Sequence, residues 1–359
     1  MSAVSQSHLW VGAGYSVSKA GVASRGGLFR RRAKATHWDS MSAGLPENVD
    51  VRVISVHPQN PQIIFVGTQD GPFRSLDGGE HWERPFFPDR NVPIWSIGIH
   101  PTRPEVIYAG AAPVALYRSE DGGLHWKKLP QAQSPKHCEK AGFDSRTIRI
   151  SFDANRPDDV YVALEVSGVI RSTDGGESWQ DMSASLIKLA EQPHLKSSVG
   201  GRSCGDCEGM LDSHAMAISE AAPDTVFLAL RMGLFRSDDR GGRWYDTKIG
   251  QFSPLTYCRD VMVCPHNPQV MYACLSEAAF SRAGSLYRSD DVAKTWKRID
   301  HGIRIQSTLM SVCVHPRDAA SLYCVSRSGQ VVGTEDAGQS WQEFPLPSGV
   351  QDVYTIACI

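Results

Sequence analysis

A chain of 359 residues with 37 basic and 39 acidic side chains has a formal charge of −2 and is 41% apolar. That is ample for a large buried core, and the near-neutral balance excludes a surface built for polyanions such as nucleic acid. No apolar run is long enough to span a bilayer, and the opening MSAVSQSHLWVGAG lacks the basic start and apolar stretch of an export signal. The expectation is a cytoplasmic protein with no membrane partner and with its nine cysteines reduced.

In chain order, HLWVGAG (8–14) reads as the second strand of a unit that lacks its first. LFRRRAKATHW follows and ends at Trp38. The next unit is complete: VISVHP, IIFVGT, PFRS and HWERPF are short, rich in β-branched and aromatic residues, and separated by Pro, Gly and Asp turns. Its last two strands are joined by SLDGGEHW, residues 75–82. This octet, close to S-x-D-x-G-x-[ST]-W, returns as SEDGGLHW ending at Trp126, STDGGESW at Trp179 and SDDRGGRW at Trp244. SDDVAKTW ends at Trp296 with alanine for the glycine, and TEDAGQSW ends at Trp341 with threonine for the serine. With Trp38, where the serine, aspartate and glycine are gone, seven tryptophans stand in register, 44, 44, 53, 65, 52 and 45 residues apart. Such a period with β-rich content predicts propeller blades. Only SASLIKLAEQ (183–192) has a helical pattern.

The closing DVYTIACI resembles the first strand of a unit (TLMSVCV, PIWSIGI) without its second. Pairing it with HLWVGAG completes one blade and removes the open edges. The prediction is an all-β protein, a single seven-bladed β-propeller over 1–359, with four-stranded antiparallel blades and the C-terminal strand paired to the N-terminal blade.

The octet resembles the Asp-box, or BNR repeat, of sialidases, xyloglucanases, sortilin-type receptors and photosystem assembly factors. The resemblance implies that the box is the turn between the third and fourth strands of a blade. Serine and aspartate would bond the turn backbone, glycine would permit tight geometry, and tryptophan would pack between blades. A motif repeated six times is structural, so chemistry is sought elsewhere.

Antiparallel blades give two faces. The box turns share one with the turns between first and second strands. The insertions 15–27, 129–146, 181–212, 246–257 and 277–284 map to the other, where function concentrates. His57, His100, His266 and His315 belong to turns of the box face, and His37, His81 and His125 to the boxes. His137, His194, His214 and His301 fall in or beside the long loops.

First strands line the axis. Aligned on their shared turns, they place Arg52, Trp95, Ile148, His214, Arg259, Met310 and Thr355 in one column, and Arg149, Asp260 and Ser311 in the next. Loops after second strands add Glu165, Arg231 and Arg327. Excess guanidinium in a concave mouth suits a carboxylate, sulfate or phosphate; arginines in propellers also tie blades together through carboxylates. In DSHAM (212–216), Asp212 and His214 point the same way along a strand. Asp212 would orient His214 as a general base, with Glu165 as acid partner; a histidine packed in the channel is the structural alternative. Cys204 and Cys207 form one C-x-x-C knuckle, which His137 and His214 could complete as a site for zinc or another divalent metal.

Three functions fit these residues. The first is a hydrolase or lyase acting on an anionic small molecule or carbohydrate, with Glu165, Asp212 and His214 catalytic and Arg52, Trp95, Arg149, Arg231, Arg259, Asp260 and Arg327 binding. The second is a non-catalytic binding or assembly propeller, and the third a metal-dependent enzyme. The resemblance to sialidases implies an arginine cluster and a tyrosine nucleophile, but their arginine motif is missing here and the blades number seven instead of six. Xyloglucanases pair two propellers and place acids between them; one is expected here.

Overall fold

The computed structural model describes residues 8–17, 21, 23–135, 143–195, 198, 199, 202, 203 and 211–359. Seven antiparallel sheets surround an axis. The closing blade is built as the two half-units require: Val353–Cys358 is its innermost strand, followed outward by His8–Ala13, Gly27–Arg32 and Asp39–Ser40. The other innermost strands are Val51–Val56, Ile94–Ile99, Thr147–Asp153, Ser213–Ile218, Tyr257–Val263 and Leu309–Val314. We number the blades I to VII from the closing blade. Blade II has three full strands; its fourth is reduced to a bridge between Arg74 and Glu83. Among the described residues no helix is long and apolar enough to cross a membrane.

The core is divided into seven apolar clusters, one for each interface between neighbouring blades. The octet tryptophans sit in these interfaces. Trp82, Trp126, Trp244 and Trp296 are each buried against the preceding blade, and the Trp244 indole donates to the carbonyl of Met182 at 2.9 Å.

The boxes explain their own conservation of pattern from blade to blade. Ser75 Oγ donates to Asp77 Oδ1 (2.8 Å) and accepts the amide of Gly79 (2.8 Å), while Asp77 accepts the amide of His81 (3.0 Å). The same ring of bonds recurs at Ser119, Ser172, Ser237, Ser289 and Thr334. The fifth box position is left-handed throughout, and a Cβ at Gly79 would collide with the indole of Trp10. Ala293 holds the equivalent conformation at φ +62°. Histidines of the box face serve the turns: the Nδ1 atoms of His57, His100 and His315 each accept backbone amides. Among the described residues the one α-helix, Ala184–Ala190, lies in the insertion before blade V and buries Leu186 and Ala190 in the interface between blades IV and V.

One feature of the innermost strands lies outside a regular reading. Each of the seven has a β-bulge near its start, and the residue without a cross-strand partner is Arg52, Trp95, Ile148, His214, Arg259, Met310 or Tyr354. An extra residue bends the strand and re-aims a side chain. The expected column is therefore right for six blades. In blade I its member is Tyr354, because Thr355 stays in the ladder opposite Gly12.

Candidate functional site

All seven bulged residues line a small pocket at the long-loop end of the channel, about 60 Å³ in volume. That is room for about two water molecules, or for one carboxylate group. Arg149 and Ser311, one step deeper, form its floor.

Around this pocket the arginines differ. Trp95 lies between two guanidinium groups, with Arg52 4.4 Å and Arg146 4.2 Å from the ring centroid, and Tyr354 meets its edge. Each such cation–π contact contributes about 0.5–2 kcal/mol. Arg52 is also paired with Asp50 at 2.9 Å, and Arg146 with Glu165 at 2.8 Å. Arg327 approaches Asp352 at 3.8 Å and stacks on Phe280. The backbone amide of Arg231 donates to the carbonyl of Asp212 at 3.0 Å. Arg149 reaches from blade IV past blade V, where the equivalent residue is Ala215, to bind Asp260 of blade VI at 2.7 Å. Asp260 in turn accepts from Ser311 Oγ and the amide of Val312, both at 3.1 Å. These two predicted binding residues thus tie three blades together below the pocket.

Arg259 is different. Among the described residues its guanidinium makes no hydrogen bond and no ion pair within 4 Å, although it lines the pocket and lies in the field of Tyr257, Glu165, Asp212 and Asp260. Burial opposes its charge and those four groups favour it, the balance raising its basicity. A half-buried guanidinium in a pocket without a protein partner among the described residues is free to take an anion or ordered water.

His214 is 2% exposed and both ring nitrogens are engaged. Nδ1 donates to the carbonyl of Cys258 at 2.7 Å; Nε2 faces Tyr257 Oη at 3.1 Å and Asp212 Oδ2 at 3.2 Å. A carbonyl only accepts, so Nδ1 carries a proton, and Nε2 is enclosed between the tyrosine hydroxyl and the carboxylate. The ring positions Asp212 and is not presented as a free base. Two carboxyl groups behind the pocket are driven apart. Burial and the neighbouring Asp212 push Glu165 up, against the pull of Arg146, Arg259 and His214. Burial also acts to raise Asp212, but His214, Arg259 and Arg231 overcome it and hold it down. Neither Glu165 nor Asp212 lines the pocket itself.

Of the predicted metal ligands, Cys204, Cys207 and His137 lie outside the described residues. Among the described residues no group of three or more His, Cys, Asp or Glu side chains could hold a metal ion. The rim contains one residue that sequence reasoning missed. Arg146 lies in an insertion with no periodicity, and its only signal was its place just before an axial strand, three residues after an aromatic.

The BNR-Asp box repeat family matches residues 234–247, the turn of blade V. No curated protein matches the chain. Among solved structures, the GH74 xyloglucanase of Xanthomonas campestris is similar at 18% identity, with 97% of this chain and 55% of that one covered and a TM-score of 0.63. An ancestral GH74 enzyme shares 14% identity over 86% of this chain and 38% of its own, with a TM-score of 0.60. The chain therefore spans between about two fifths and just over half of those enzymes. YCF48 of Cyanidioschyzon merolae is 15% identical, covered to 90% by 87% of this chain, with a TM-score of 0.60. Identities this low show the fold alone. The chain is a seven-bladed β-propeller that carries a match to the BNR-Asp box repeat in blade V.

Proposed function

We propose that this Asp-box propeller binds the carboxylate of an anionic small molecule, carbohydrate or peptide in the pocket ringed by the seven bulged residues. The observation that carries this reading is Arg259, a pocket-lining guanidinium with no partner of its own among the described residues. The pocket takes a carboxylate and excludes a sugar ring, so the body of the ligand lies outward. There the exposed Phe143 and Phe280, each stacked by an arginine, offer flat apolar faces. Arg–aromatic clusters of this kind anchor partners.

Titration calorimetry with glucuronate, and with a short peptide as free acid and as C-terminal amide, tests it. The acids bind, the amide does not, and Arg259→Met weakens binding at least thirtyfold, the usual penalty for removing a desolvated charge partner. Equal binding of acid and amide removes the proposal.

A second reading, hydrolysis of the bound anion, rests on the opposed Glu165 and Asp212, one carboxyl pushed up beside one held down. Fold neighbours that include hydrolases are compatible with it but do not choose it, since propellers host both chemistry and docking. If it holds, release of nitrophenolate from 4-nitrophenyl glucuronide falls about 10²–10⁴-fold in Glu165→Gln, while glucuronate binding survives. Binding without turnover leaves the first reading alone.

A further inference from the structure

The Arg149–Asp260 bridge divides the channel. On the far side, toward the box face, lies a funnel of about 890 Å³, within the range of sites for small ligands. It is open because the residues two steps beyond the bridge tier, which point the same way along each strand, are mostly small: Ser55, Ser151, Ala217, Cys313 and Ala357, with Met262 the exception. Val56, Ile218, Val263 and Val314 make the outer wall apolar. From Asp260 to Pro265 at the rim is five residues, on the order of 16 Å of strand.

The two members of the bridge offer different things to a ligand. Asp260 already accepts from Arg149, Ser311 and Val312, and its side chain is 5% exposed. The Arg149 side chain is 41% exposed and spends one terminal nitrogen on Asp260. The floor therefore presents more accessible donor than acceptor capacity, which favours an anionic head over a cationic one.

We infer that the funnel is a second binding site, for an amphiphile with a carboxylate head on Arg149 and an unbranched apolar tail running toward the box face. Each methylene laid on the wall raises affinity up to about fourfold, so octanoate, decanoate and dodecanoate bind in that increasing order.

The test is calorimetry with those three acids, with dodecyltrimethylammonium and 1-dodecanol as head-group controls. One saturable site that follows chain length and prefers the carboxylate is expected. Ala357→Trp, which fills the funnel and leaves the bridge intact, abolishes it. The double variant Arg149→Met with Asp260→Leu, which strands no charge, removes the head-group preference and leaves chain-length dependence. Arg259→Met, on the other side of the bridge, removes carboxylate binding in that pocket and leaves the chain-length-dependent site unchanged. Absence of saturable binding, equal binding of the ammonium amphiphile, or loss in Arg259→Met without loss in Ala357→Trp overturns the inference.

Discussion

The box turns and the channel mouth are made of the same residue types and end in opposite states. In a box every polar atom of serine and aspartate has a short-range partner within four residues, and the arrangement is copied around the ring. In the mouth some pairs are local, as Arg52 with Asp50, others span blades, as Arg149 with Asp260, 111 residues apart, and Arg259 has none among the described residues. Local closure gives a scaffold that does not depend on its contents. The mouth has residual capacity because not all of its groups are closed.

The comparison can be broken from the scaffold side. Trp244→Ala empties an interface between blades IV and V and should cost about 3–5 kcal/mol, read as a large drop in urea midpoint. Ser237→Ala deletes the three bonds of a fully buried hydroxyl in the adjoining box and should cost about 1–2 kcal/mol by the same measurement. If either variant matched wild type, the box and its tryptophan would be ornaments of the fold and not its ties.

Acid provides a milder test. Hydrogen bonds from Ser178 and Ser172 hold Asp174 down to about 2, and bonds from Ser340 and Thr334 do the same for Asp336. An unfolded aspartate titrates near 3.9. A carboxyl depressed in the folded state contributes above the unfolded value, and its contribution is lost as pH falls from about 4 toward 2. The melting temperature should decline through that window, with the decline reduced in Asp174→Asn. The smallest expected effect has the opposite sign. Ala293 sits at φ +62°, which glycine tolerates better, so Ala293→Gly should stabilise by about 0.5–1 kcal/mol in the same melts.

What could be read beforehand follows the same division. Blade number, box geometry, the turn histidines and the short helix depend on residues near one another in the chain, and ring closure, though it joins residues 8–13 to 353–358, was legible because each half-blade left its own local pattern. The column of pocket residues was readable wherever counting back from the shared turn gave the right offset. It failed at Tyr354 because a bulge shifts side-chain direction without changing composition. That Arg149 is spent on Asp260, 111 positions away, and that His214 bonds Cys258 and Tyr257, 44 and 43 positions away, are facts about residues distant in the chain. Sequence spacing holds no record of them.

The bulges have a practical consequence. A residue outside the ladder can be exchanged without altering strand register, and here seven such positions stand at one level around a single axis. Evolution, or a combinatorial library, can rewrite the specificity of the ring one blade at a time while the hydrogen-bonded frame stays as it is.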